Sequence, residues 1–94
     1  MSESKTAATN EGSADWCLYL IECRNGAYYA GITNNLDARY AAHVSGRGAR
    51  YTRANPPLRL VGRRNFPDKA SAARAEWQIR QLPRALKPGF LLQP

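Results

Sequence analysis

The chain has 94 residues, 44% of them hydrophobic, and 14 basic against seven acidic side chains give it a formal net charge of +7. This length allows one domain with a modest core. Its apolar runs are shorter than the roughly 18–20 residues that a membrane span needs, and residues 1–14 lack the apolar segment of a secretory signal. We therefore expect a soluble cytoplasmic protein without a membrane partner.

The amino-terminal segment, residues 1–14, is rich in small polar side chains and has no large apolar residue after Met1. Such a segment buries too little surface to offset the entropy lost on ordering. We predict that it is a disordered tail and that residues 15–94 form a single domain.

A β-hairpin is predicted next. Two β-favouring runs, residues 16–23 and 27–33, flank an Asn25-Gly26 pair, which is a strong hairpin signal. The first run is apolar at successive positions, a pattern typical of a central strand that is covered on both faces.

The length of the hairpin loop decides where two tyrosines point. A two-residue loop would put Tyr19 and Tyr29 on opposite faces of the sheet, because side chains alternate along a strand. A three-residue loop, with Gly26 in the left-handed conformation, would pair Tyr19 with Gly31 and bring both tyrosines to one face. Gly31 would then leave open space beside Tyr19. A shared tyrosine site therefore predicts the three-residue loop.

A helix is predicted over residues 35–45, with an asparagine cap at its start and Gly46 at its end. Leu36, Tyr40 and Val44 are predicted to form its core-facing stripe. Arg39 and His43, four residues apart, then lie together on the adjacent face.

Seven arginines, with neither a lysine nor an acid, occupy residues 38–67. Arginine is favoured where a planar, bidentate contact to phosphate matters, so nucleic acid is the expected partner. Residues 46–57 form a basic loop, with room for a short helical turn, in which Tyr51 lies among arginines. The simpler alternative is a basic surface that only keeps the protein soluble.

The last predicted elements are a strand at residues 58–66 and a helix at residues 69–82, capped by Asp68. Alternation along the strand places Leu60 and Gly62 on one face. The carboxyl-terminal apolar patch is expected to fold back on the core. These elements give a fold of the α/β class, α+β type: a three-stranded antiparallel sheet flanked by helices, in β-β-α-β-α order.

Phosphodiester hydrolysis needs a positioned water, a proton acceptor and positive charge facing the phosphate oxygens. Tyr19 and Tyr29 are suited to position water and phosphate, Arg39 to clamp the phosphate, and His43 to take a proton from water. Glu76 lies at the border of the buried face of the second helix. One carboxylate there suffices for a single Mg²⁺ or Mn²⁺ ion, since Mg²⁺ often takes only one or two protein carboxylates.

Each of these side chains also has an ordinary structural explanation. A tyrosine in a strand usually packs in the core or at an edge. Arg39 is placed to pair with Asp37, and Glu76 is placed to pair with Arg80 one helical turn later. Taken one at a time, most of the five residues fit these structural explanations, and it is their joint presence that favours catalysis.

Residues 17–19 (Cys-Leu-Tyr) and 29–31 (Tyr-Ala-Gly) resemble the two halves of the motif that names the GIY-YIG nucleases. Downstream of this motif, the order and spacing of several segments is similar to the small, single-domain bacterial members of that superfamily; these segments are residues 33–39, His43, residues 45–53 and Glu76. One departure is Ile32, where many relatives carry a lysine.

The resemblance implies a metal-dependent DNA endonuclease, with DNA repair or processing as its setting. The implied catalytic residues are Tyr19, Tyr29, Arg39, His43 and Glu76, with Glu76 as the metal ligand. The residues themselves, the basic loop and the glycine of the second strand, give the candidate nucleic-acid-binding set: Gly31, Arg47, Arg50, Tyr51 and Arg53. The alternative is a basic DNA- or RNA-binding module that does not cleave.

Overall fold

The sheet has three antiparallel strands in the order β2-β1-β3, so the first strand lies in the middle. The computed structural model describes residues 15–92, and the predicted tail over residues 1–14 lies outside this range. The predicted fold class is confirmed. The elements are β1 (Trp16–Cys23), β2 (Tyr28–Thr33), α1 (Leu36–Val44), α2 (Arg50–Ala54), β3 (Pro57–Phe66), α3 (Lys69–Arg80), a 3₁₀ turn (Arg84–Leu86) and α4 (Lys87–Phe90).

The central strand separates two hydrophobic clusters. On one face, Leu18 and Leu20 pack with Ile79 of α3 and with Leu91, which the carboxyl-terminal segment folds back onto the core as expected. On the other face, Tyr19 packs in a second cluster whose other buried members are Cys17, Ile21, Cys23 and Leu36. Burial on both faces is the reason that β1 is a continuous apolar run in the sequence.

The hairpin has the three-residue loop. Cys23 N donates to Ala27 O at 2.8 Å, which closes the loop, and Gly26 has φ +87°, a left-handed conformation that glycine adopts without steric cost. Asn25 uses its whole amide group: Oδ1 accepts from Ala27 N at 3.1 Å, and Nδ2 donates to the Tyr51 hydroxyl at 3.1 Å and to Asn55 at 3.0 Å.

This loop sets the register of the tyrosines. Tyr19 pairs directly with Gly31, so Tyr29 is its diagonal neighbour on the same face. The two ring centroids are 6.4 Å apart. The three-residue prediction is therefore confirmed.

A bulge in β3 changes the predicted alternation of that strand. Leu20 pairs with Gly62 but the next residue, Ile21, pairs with Leu60, which leaves Val61 as an extra residue. Leu60 therefore packs in the cluster of Tyr19 and Val61 in the opposite one. The prediction that Leu60 and Gly62 share a face was wrong, because the sequence pattern does not reveal the inserted residue.

Helix α1 begins after Asn35, whose side chain accepts from Ala38 N at 3.2 Å. Its core-facing stripe differs from the prediction at the last position: Val44 is 59% exposed, whereas His43 is 1% exposed. At 3.6 residues per turn, the seventh residue after Leu36 lies closer to its face than the eighth does. The predicted stripe of Leu36, Tyr40 and Val44 was therefore wrong at Val44, and His43 takes the inward place.

Helix α3 agrees closely with its prediction. Asp68 caps it by accepting from Ser71 N at 2.8 Å, and Ala72, Ala75 and Ile79 form its buried side. Among residues 15–92, no helix has the length and apolar character required to cross a membrane.

Candidate active site

A buried tyrosine–histidine pair lies at the centre of the site. The Tyr19 hydroxyl, from the middle of β1, is 2.9 Å from His43 Nε2, in the last turn of α1. Burial raises the pKa of Tyr19, and it lowers the pKa of His43. Both shifts favour the neutral forms, a phenol that still carries its proton and an imidazole with one open nitrogen lone pair.

The other imidazole nitrogen has a partner that the sequence did not indicate. His43 Nδ1 lies 2.6 Å from Thr52 Oγ1, and Thr52 Oγ1 donates to Ala49 O at 3.0 Å within α2. Thr52 is 1% exposed. Sequence analysis missed Thr52 because its spacing of nine residues from His43, across a loop, matches no helical or strand period.

Gly48 is a second residue that sequence analysis did not assign. A Cβ on Gly48 would lie 2.9 Å from His43 Cγ and 2.9 Å from His43 Cα, so only glycine lets the loop close over the imidazole. His43 is thus enclosed by Tyr19, Thr52 and the backbone of Gly48.

Tyr29 connects the buried pair to the surface. Its ring contacts His43 edge-on at a centroid distance of 5.3 Å, and Tyr51 of α2 stacks on it at 6.1 Å with an interplanar angle of 13°. Tyr29 is half-buried, whereas Tyr51 is exposed. A group entering from solvent would therefore meet Tyr51 and Tyr29 before the buried hydroxyl.

Two charged side chains act on the Tyr19 hydroxyl. The charge of Arg39, one turn before His43 on α1, opposes the rise in the pKa of Tyr19, while Tyr29 and the Glu76 carboxylate add to that rise. The charge of Arg39 also lowers the pKa of His43, after the larger effect of burial. Of the five side chains predicted to be catalytic, Tyr19, Tyr29 and His43 lie together. Arg39 and Glu76 are near enough for their charges to affect the pKa of Tyr19.

Gly31 lies directly beneath Tyr19. A Cβ on Gly31 would overlap the Tyr19 hydroxyl oxygen and would lie 2.6 Å from Cζ of the same ring. The predicted open space beside Tyr19 is therefore filled by the ring itself. Gly31 is buried, so its clear role here is to seat Tyr19, while its predicted contact with nucleic acid stays a prediction.

The basic surface predicted from the sequence includes α2 and the loop before it. The side chains of Arg50 and Arg53 are exposed and, within residues 15–92, form neither a hydrogen bond nor an ion pair. Arg47 is exposed as well and donates from Nε to Ser45 Oγ at 3.0 Å. We define Arg47, Arg50, Tyr51 and Arg53 as the basic face. It adjoins the site because Tyr51 stacks on Tyr29.

Glu76 is the candidate metal ligand. Its Oε2 accepts from Arg80 Nη2 at 3.0 Å, the pairing expected for two residues one helical turn apart, and its side chain is 23% exposed. Its Oε1 has no hydrogen-bond partner in the part of the chain that the structure describes. Groups of three or more His, Cys, Asp or Glu able to enclose a metal do not occur within residues 15–92. This donor set fits Mg²⁺, which keeps most of its waters and accepts a single carboxylate.

The fold and the clustered side chains agree with the comparison with protein families. A family model described as the GIY-YIG catalytic domain matches residues 15–88. The chain therefore belongs to the GIY-YIG family, which is a family of nucleases, and the predicted resemblance is confirmed.

Within that family, the chain is similar to small bacterial UPF0213 proteins. It is 59% identical over 76 residues to one from Xanthomonas campestris, a match that covers 81% of this chain and 74% of the relative. It is 43% identical over 83 residues to one from Cupriavidus necator, with 86% and 90% covered. The solution NMR structure of a UPF0213 protein from Bacillus halodurans matches with a TM-score of 0.51 and 38% identity, covering 83% of each chain.

Proposed function

We propose that this protein is a divalent-metal-dependent DNA endonuclease that hydrolyses phosphodiester bonds. The observation that carries the proposal is the Tyr19–His43 hydrogen bond of 2.9 Å, made between two buried groups on whose pKa values Arg39 acts. A hydroxyl with an imidazole acceptor on one side and a cation nearby is suited to general-base chemistry. Membership of a nuclease family supports the same reaction class.

In the proposed mechanism the proton passes through Tyr19. His43 Nε2 is already occupied by its hydrogen bond to the Tyr19 hydroxyl, so direct proton transfer from water to His43 is less suited to this geometry. The attacking water gives its proton to the Tyr19 oxygen as the phenolic proton moves to His43 Nε2. The hydroxide bonds to phosphorus, and the bond to the leaving oxygen breaks. The leaving oxygen takes a proton from solvent, and His43 later releases its own through Tyr19.

The charged residues hold the substrate in this proposal. Arg39 binds the non-bridging oxygens of the phosphate, and it also stabilises the negative charge that develops on Tyr19 during proton transfer. Tyr29, which packs against both Tyr19 and His43, orients the water or the phosphate through its hydroxyl. Exclusion of bulk water from the buried pair strengthens each of these interactions.

Glu76 would hold the single Mg²⁺ or Mn²⁺ ion. When bound, the ion supplies positive charge for the phosphate oxygens that Arg39 does not neutralise. The basic face then holds the DNA backbone next to the site, since unpaired arginines release counterions from phosphates on binding. We place the enzyme in the cytoplasm, in DNA repair or processing.

The test is nicking of a supercoiled plasmid in Mg²⁺ or Mn²⁺ by the wild type, Glu76→Ala and Tyr29→Phe. We expect metal-dependent nicking by the wild type and a loss of about 10²-fold or more in each variant. Equal nicking by all three proteins would contradict the assigned site. Salt-sensitive binding to DNA or RNA without cleavage of duplex, single-stranded, flapped or branched DNA would instead support a non-catalytic binding module.

A further inference from the structure

The hydrogen bonds around Thr52 extend the site beyond the five predicted catalytic residues. We infer that Thr52 is a positioning residue that fixes His43 as the tautomer protonated on Nδ1, which reserves Nε2 for the proton of Tyr19. The effect of Thr52 on catalysis rests on the proposed function, whereas its effect on the imidazole tautomer does not.

The protons around the imidazole can be counted. A threonine hydroxyl carries one hydrogen, and Thr52 Oγ1 lies 3.0 Å from Ala49 O, a carbonyl oxygen that can only accept. The same oxygen lies 2.6 Å from His43 Nδ1, so when the hydroxyl donates to Ala49 it must accept from Nδ1–H. A neutral imidazole protonated on Nδ1 has its lone pair on Nε2, where the Tyr19 hydroxyl donates at 2.9 Å.

The reverse arrangement leaves a buried donor unsatisfied. If Thr52 donated to Nδ1, Nε2–H would donate to the Tyr19 oxygen, and within residues 15–92 the hydroxyl hydrogen of Tyr19 would have no acceptor. Ala49 O would keep its bond from Arg53 N at 3.1 Å. His43 could then take no proton from Tyr19 until it gave up its own. Because Tyr19, His43 and Thr52 are each 1% exposed, water has little access to repair an unmade bond.

The position of Thr52 in the chain connects the imidazole to the basic face. Thr52 points inward from α2 between Tyr51 and Arg53, two members of the basic face. Gly48 closes the same loop over the imidazole. The segment from Gly48 to Arg53 therefore has two roles. Its outer side presents cations to the solvent, and its inner side fixes the tautomer of His43, the proton acceptor.

The experiment measures the tautomer directly. His43 is the only histidine in the chain, so a long-range ¹H–¹⁵N NMR spectrum contains one imidazole. At pH 7.5, where the neutral ring dominates, we expect the wild type to show Nδ1 protonated and Nε2 unprotonated. Thr52→Val keeps the shape and removes the hydroxyl, so Nε2–H should become populated. Thr52→Ser should restore the wild-type pattern.

Thr33→Val is the matched control. Within residues 15–92 Thr33 is the other buried threonine, and its Oγ1 accepts from Asn35 N at 3.0 Å, away from the imidazole. Thr33→Val should keep the tautomer of the wild type. This result would show that the tautomer depends on the Thr52 hydroxyl and not on buried hydroxyls in general. An Nε2–H tautomer in the wild type, or an unchanged tautomer in Thr52→Val, would overturn the inference. The wild-type spectrum decides the first point even if Thr52→Val does not fold.

Activity gives the second readout. In the plasmid assay we expect kcat of Thr52→Val to fall roughly 10–100-fold with little change in KM, as is typical when the partner that orients a functional histidine is lost, and Thr52→Ser to recover most of it. A Thr52-dependent tautomer with unchanged kcat would overturn the catalytic part. If the wild type does not cleave, the proposed function fails while the spectra still test the tautomer.

Discussion

The Tyr19 hydroxyl and His43 Nε2 share a hydrogen bond of 2.9 Å, and this bond joins the central strand to the helix packed against it. Both side chains are fully buried among apolar groups. In such surroundings a polar atom left without a partner costs about 1–3 kcal/mol, so the pair is held together by the penalty for separating it. The geometry of the proposed reaction is therefore part of the stability of the fold.

Tyr19→Phe should abolish cleavage while preserving the fold. The phenyl ring keeps the packing, but His43 Nε2 loses its partner, so we expect unfolding to be easier by about 1–3 kcal/mol. Plasmid nicking should fall by about 10²–10⁴-fold, the usual contribution of a general base. The control is Tyr28→Phe, since Tyr28 packs against the opposite cluster beneath the Arg84 guanidinium and should cleave normally. Equal loss in both variants would argue against a special role for Tyr19.

Gly31→Ala should displace Tyr19. The added methyl group would overlap the Tyr19 ring, and overpacking of this kind costs about 1–3 kcal/mol. Gly62→Ala is the matched control in β3, on the other side of β1, because its Cβ would lie 3.6 Å from Leu91 Cδ1, an ordinary contact. Urea unfolding of both variants is the measurement. The seating role of Gly31 would be disproved by equal midpoints.

Stability should fall on mild acidification because of His43. Its pKa is lowered by burial and then by Arg39, so the unfolded chain binds this proton more readily than the folded one. The contribution of His43 to the free energy of unfolding is therefore fully present above about pH 6.5 and is lost as the pH falls toward the folded-state pKa. Urea unfolding between pH 7.5 and 5 should show this slope in the wild type and not in His43→Gln. A flat wild-type profile would contradict it.

The basic face should dominate the salt dependence of DNA binding. Each phosphate contact contributes about 0.9 to the slope of log K against log salt concentration, so Arg50→Ala combined with Arg53→Ala should reduce that slope by roughly 2. Arg59→Ala is the control: it removes one arginine charge, but Arg59 is already paired with Glu22 at 2.7 Å, so the slope should change little. Titrations of a DNA duplex at several salt concentrations would measure the slope for each variant. Equal slopes for all variants would place the contact surface elsewhere.

Arg80→Gln should strengthen metal binding by Glu76. Arg80 bonds to both Glu76 Oε2 and Ala30 O, and its removal frees the carboxylate from a competing cation. We expect Mn²⁺, followed by electron paramagnetic resonance, to bind several-fold more tightly, with a stability change below about 0.5 kcal/mol. Arg74→Gln, an exposed change on the same helix, should bind Mn²⁺ like the wild type. Weaker binding in Arg80→Gln would mean that Arg80 supports the metal site.

Local signals in the sequence predicted most of the fold. The Asn25-Gly26 pair predicted the hairpin, and the requirement for a shared tyrosine face selected the correct loop length, because strand alternation leaves only two choices. Asp68 marked the start of α3. The inserted residue Val61 was missed, since a bulge depends on how two strands meet and not on the pattern of either one.

The site was predictable only in part, for the same reason. Tyr19, His43 and Glu76 could be singled out as chemically capable side chains; the structure joins Tyr19 to His43, and the charge of Glu76 acts on the pKa of Tyr19. The inward position of His43 was missed because the prediction followed the apolar side chains to Val44, although the helical period places the seventh residue after Leu36 nearer its face than the eighth. Thr52 and Gly48 act on His43 across a loop, and their roles depend on contacts that have no period in the sequence.

The amide of Asn25 makes the hairpin turn a poor place for protein engineering. Its Nδ2 holds the Tyr51 hydroxyl and Asn55, so the turn is fastened to the segment that carries the exposed arginines. Surface turns are usually the favoured positions for inserting epitope tags or for circular permutation. Here an insertion would release the arginine-bearing helix from the sheet, and tags are better attached at the chain termini.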